Sequence, residues 1–135
     1  MKIVLLAVLS LTACATGSIG IDREPTTRTG VRFQLVPGQD APRVFPSVIE
    51  PALPSADRLA HHVRVRFGEV IEAELDVCVA PSGEVTTAKM ATSTGDAALD
   101  AAIERDASAW KFDVMPGPAG VQSCERARLT YRAPR

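Results

Sequence analysis

Residues Leu75 to Phe112, LDVCVAPSGEVTTAKMATSTGDAALDAAIERDASAWKF, decide the fold. Leu75, Val77 and Val79 alternate with Asp76, Cys78 and Ala80, the two-residue period of a half-buried strand. Pro81-Ser82-Gly83 breaks that period, and glycine supplies the positive φ that a tight reversal needs. Val85 to Thr92 returns as a second strand, out of phase where Val85 gives way to Ala88 and Met90, which predicts a β-bulge. Ser93-Thr94-Gly95 ends it, and Asp96 stands where a helix N-cap belongs. Leu99, Ala102, Ile103, Ala107 and Trp110 then share one helical face, with Asp100, Glu104, Arg105 and Ser108 away from it. This strand–turn–strand–helix unit needs one more strand, and Cys124 to Arg132 supplies it. Ala127, Leu129 and Tyr131 lie on one side of that strand; Cys124, Arg126, Arg128, Thr130 and Arg132 lie on the other.

Gly83-Glu84-Val85, Ser93-Thr94-Gly95, Leu99 to Ile103 and Trp110-Lys111-Phe112, followed by a closing strand, resemble the C-terminal domain of TonB-type energy transducers. Pro51-Ala52-Leu53-Pro54 is similar to the P-x-Y-P lead-in of that family, with Leu53 where tyrosine is usual. The likeness runs from about Pro51 to Tyr131 and rests on the order and spacing of its parts. It implies a small α+β domain, a three-stranded sheet of order 2-1-3 with helices packed on one face. It also implies a periplasmic interaction module that binds extended peptides of outer-membrane receptors by strand addition to the closing strand. Carried over by position, the partner-binding edge is Arg126, Ala127, Arg128, Leu129, Thr130, Tyr131 and Arg132.

The chain opens with MKIVLLAVLSLTAC, a targeting segment with Lys2 ahead of an apolar run from Ile3 to Leu11. A membrane-spanning helix needs ~20 apolar residues, so this run is too short to cross a bilayer. Leu11-Thr12-Ala13-Cys14 resembles the lipobox of bacterial lipoproteins, which implies a signal peptide over residues 1–13 and acylation of Cys14. The alternative is an ordinary signal peptide with a cysteine near its cleavage site. Ala15 in place of aspartate points to the outer membrane, facing the periplasm. Residues 14–42 are rich in Gly, Thr and Pro and read as a flexible tether, with at most a short strand at Gln34-Leu35-Val36. The domain itself spans residues 43–135. Arg43 to Pro54 reads as an extended arm, because of Pro46, Pro51 and Pro54. Ser55 to His62 reads as a helix capped by Ser55, and a strand is expected from about Val63, where VRVRF alternates.

With Cys14 assigned to lipid, Cys78 and Cys124 remain, in a compartment that oxidises thiols. A strand–helix–strand crossover makes the second and closing strands parallel, with the first antiparallel between them. Cys78 near the end of one strand then meets Cys124 at the start of the other. In that register Asp76 faces Arg126 and Glu74 faces Arg128, while Leu75 meets Ala127, Ala73 meets Leu129 and Ile71 meets Tyr131. One constraint thus reproduces the charge pattern and the core pattern together, and a structural disulfide is expected. Two free thiols or a redox pair are the alternatives; the absence of C-x-x-C argues against the second.

Net charge is −1, from 15 basic and 16 acidic residues that are well mixed. No basic face with interleaved aromatics points to nucleic acid. His61-His62 points in two directions from a helix, which suits a solvated face better than a metal site. The acidic residues Glu69, Glu72, Glu74 and Asp76 have arginine complements on the closing strand, which suits a salt-bridged sheet face better than acid–base chemistry. No catalytic constellation, phosphate loop or cofactor motif is present, so the expected function is binding and not catalysis, with no metal or cofactor. The expected partner is a protein of the cell envelope, such as an outer-membrane receptor or transporter. An envelope-assembly or peptidoglycan-contacting lipoprotein is the alternative, and an enzyme is the rival from another class.

Overall fold

The computed structural model describes residues 29–37 and 44–135. The signal peptide, Cys14 and most of the tether lie outside the described residues. The described residues form an α+β fold: a four-stranded antiparallel sheet, a two-stranded ribbon and three helices. In chain order the elements are β1 (Val31–Leu35), β2 (Val48–Ile49), α1 (Pro54–Asp57), α2 (Ala60–Phe67) and β3 (Val70–Val79). They continue with β4 (Val85–Thr92), α3 (Ala97–Ser108), β5 (Lys111–Phe112) and β6 (Ser123–Arg132).

The sheet order is β1-β6-β3-β4. Its three inner and right-hand members keep the expected relation, with β3 antiparallel to both β4 and β6. The β3–β6 register is the expected one: Cys78↔Cys124, Asp76↔Arg126, Glu74↔Arg128, Leu75↔Ala127, Ala73↔Leu129 and Ile71↔Tyr131. The β3–β4 ladder slips at Glu74/Leu75 and at Cys78/Val79, so the bulged second strand is real. The hairpin turns at Gly83 (φ 84°), where a Cβ would stand 2.1 Å from the Phe112 carbonyl oxygen. Only glycine fits there, because of that clash and the positive φ; the Phe112 N–H donates to the Gly83 carbonyl at 2.8 Å and holds the two backbones close.

Two sequence expectations need correction. The sheet has four strands, not three, because Val31 to Leu35 pairs along β6 from Tyr131 to Ala127. This strand comes from the stretch read as tether. Val31 is fully buried and the Phe33 ring stands edge-on to Trp110 and to Phe112, each at 5.7 Å between centroids. Those contacts supply apolar burial that a free tether would forgo. Second, Val63 to Phe67 is helix, not strand. Gly68 (φ 91°) ends α2, its N–H donating to the Arg64 carbonyl, and the strand starts only at Val70. In a helix Val63 and Val65 face apart, so Val63 is buried and Val65 exposed. The β-branched alternation was a local preference that packing overrode.

The core lies between one sheet face and the helices. Leu75, Val77 and Val79 of β3 and Leu129 and Tyr131 of β6 pack against Val63 of α2 and Leu99, Ile103 and Ala107 of α3. The arm from Val44 to Leu53 lies along the domain: β2 pairs with β5, and the Trp110 indole donates to the Ala52 carbonyl at 2.8 Å. Ser55 is not an N-cap. The buried Asp106 of α3 accepts from the Ser55 N–H at 2.7 Å and so caps α1 from a distance.

Candidate functional site

β6 divides its residues as the sequence pattern requires. Ala127, Leu129 and Tyr131 are buried in the core, and the Tyr131 hydroxyl donates to Asp57 Oδ1 at 2.7 Å. Burial, helped by that carboxylate, pushes the Tyr131 phenol well above its ordinary value. Arg126, Arg128, Thr130 and Arg132 stand on the opposite, uncovered face of the sheet. There Arg126 meets Asp76 through two bonds, Nε to Oδ1 at 2.8 Å and Nη2 to Oδ2 at 3.1 Å. The guanidinium holds the Asp76 carboxyl below its ordinary value. Arg128 lies 3.7 Å from Glu74 and Arg132 lies 3.6 Å from Glu69. Cys78 and Cys124 close the same face with their sulfurs 2.09 Å apart. Exposed ion pairs of this kind contribute about 0–1 kcal/mol each, so they fix register more than they stabilise.

The expected partner-binding edge at Arg126 to Arg132 is not an edge. β1 occupies the outer side of β6 across Val31 to Leu35, and the ladder is extended at both ends. The Arg132 N–H donates to the Gly30 carbonyl at 2.8 Å, and the Val36 N–H donates to the Arg126 carbonyl at 2.9 Å. The sequence suggested an uncovered strand because β1 was hidden inside a Gly- and Thr-rich run.

β4 is the other terminal strand, and α3 runs back alongside it. The Met90 N–H is taken not by a strand but by a side chain, Glu104 Oε1 at 2.9 Å. Glu104 Oε2 lies 3.2 Å from Lys89 Nζ. The Met90 N–H, aided by Lys89, holds the Glu104 carboxyl below its ordinary value. A groove of about 430 Å³ lies here, with residues 86–89 of β4 on one side and Ala101, Glu104, Arg105 and Ser108 of α3 on the other. Arg105 is exposed and has no ion-pair partner among the described residues.

A second cluster gathers at the start of α3. Asp96 caps the helix as expected, its Oδ1 accepting from the N–H groups of Ala98 and Leu99 at 3.0 Å each. Its Oδ2 lies 2.7 Å from His62 Nε2 and accepts from Arg66 Nη1 at 3.0 Å. Arg66 also donates to the Gly95 carbonyl at 2.8 Å. The His62 contact, followed by the Leu99 N–H, lowers the Asp96 pKa to about 2. This cluster was missed because the expected helix stopped at His62; carried through Phe67, it would have set His62 and Arg66 one turn apart on one face. His61 is exposed, and no group of three metal-ligating side chains converges among the described residues.

The chain matches no family model, no curated protein and no solved structure in comparison with each.

Proposed function

We propose that this protein is a periplasm-facing lipoprotein of the outer membrane whose domain, similar to the TonB C-terminal type, binds an envelope protein by strand pairing. The observation that carries the reading is the order of parts around one central strand. In support of it, β3, the Gly83 turn, β4, the Ser93–Gly95 strand end, α3, Trp110-Lys111-Phe112 and β6 follow one another in the chain, with β3 paired to both β4 and β6. The two departures from that pattern shape the proposal. The N-terminal apolar run is short of the ~20 residues a span needs, which supports a signal peptide and a lipid-tethered interaction module. The closing strand is flanked by β1, so pairing with a partner takes place elsewhere on the sheet.

Affinity isolation from detergent-solubilised envelope, with the mature acylated protein as bait, tests this reading. Intact mass of the bait should first show loss of residues 1–13 and a gain of lipid on Cys14. The expected outcome is one envelope protein recovered in near-stoichiometric amount and released by extended peptides of its own sequence. Recovery of peptidoglycan fragments alone would replace this reading with the wall-contacting one.

A further inference from the structure

We infer that the groove between β4 and α3 is a docking site for an extended acidic segment of a partner protein, an inference that rests on the interaction reading above and gives it a place. The Met90 N–H points away from β3, because a helix side chain and not the ladder receives it. At the two-residue period of a strand, the backbone groups of Ala88 share that direction and form the floor of the groove, where Ala88 is 4% exposed. Glu104 therefore stands where the carbonyl of an added strand would stand, and satisfies one donor of the row. β4 itself reads VTTAKMAT, β-prone and with a single charge, unlike the arginine-lined β6.

Charge then selects the occupant. Glu104 is spent on Met90 and Lys89, while Arg105 on the next position of α3 is unpartnered and exposed. The groove thus offers a cation to whatever enters it. A second copy of this chain is the poorer occupant, because its β4 would bring another Lys89 and no carboxylate. Ala101 and Ser108, small side chains on the helical wall, leave the space open for a backbone.

The test is NMR titration of the isotope-labelled full-length chain with a blocked eight-residue peptide alternating threonine and glutamate. Its threonine–lysine counterpart serves as control. Amide shifts should concentrate in Thr86–Met90 and Ala101–Ser108 with the acidic peptide alone. Arg105→Ala should weaken binding by about tenfold, the scale of one charge-assisted hydrogen bond, and Ala101→Tyr should abolish it by filling the groove. Shifts along Val31–Leu35, equal binding of the lysine peptide, or no shifts would overturn the site. Changes in β4 on dilution without peptide would mean self-association and would overturn it too. An envelope partner that still binds Arg105→Ala and Ala101→Tyr would sink the groove and leave the interaction reading standing. Peptide shifts at β4 with no partner recoverable from the envelope would do the reverse.

Discussion

Asp96 gathers four contacts on one carboxylate: two helix N–H groups on Oδ1, and His62 and Arg66 on Oδ2. Its folded pKa of about 2 lies below the ordinary 3.8, so the folded state favours the ionised form. The stabilisation is therefore complete above about pH 4 and is lost as pH falls towards 2. Asp96→Asn keeps a capping oxygen but gives up the charge. Its melting temperature should fall several degrees below that of the parent at pH 7, and the gap should close by pH 2. A gap independent of pH would show that the carboxylate acts only as a cap. Cys78 and Cys124 close 46 residues, which by chain entropy stabilises the fold by about 4 kcal/mol. Cys78→Ala, Cys124→Ala and the double variant should lower stability in urea by nearly the same amount, because each removes the same bond. Additive losses would mean two independent thiols.

At the scale of elements, the hairpin and α3 were legible because several local signals agreed there. Period-two alternation, a turn glycine, a capping aspartate and a 3.6-residue apolar face all pointed to one arrangement. The β3–β6 register was legible for a different reason: one cysteine pair fixed it, and charge and burial followed. β1 and α2 were legible only in part, at Gln34-Leu35 of the one and Ala60 to His62 of the other, and the rest of each failed through long-range packing. Val31 and Phe33 alternate with Arg32 and Gln34, but five residues carry little pattern without β6 and the Trp110 and Phe112 rings beside them. VRVRF prefers strand locally, yet Arg66 is drawn to Asp96 and Gly68 stops the helix. Of the candidate site, the side-chain division along β6 was readable and its position inside the sheet was not. A five-residue strand at the sheet margin should open more readily than the disulfide-closed centre. Hydrogen exchange should show the Arg32 and Gln34 amides, which face β6, losing protection well before those of Leu75 and Val77, and Phe33→Ala should cost about 1–2 kcal/mol for the lost apolar burial. Equal protection of β1 and β3 would mean that the two open together.

For the molecule as a whole, the described sheet has a closed centre and two unlike margins. The centre of the sheet is closed by a disulfide and by Asp76–Arg126, and one margin is occupied by the chain's own β1. The opposite margin is guarded only where Glu104 reaches Met90. Among the described residues no helix is long and apolar enough to cross a membrane. The most direct measurement is photo-cross-linking in the native host, with a photoreactive amino acid at Ala101 or Arg105 in the groove and, as control, at the exposed Arg58. The expected result is one envelope-protein adduct from both groove positions and none from Arg58; no adduct from the groove, or the same adduct from all three positions, would contradict the account.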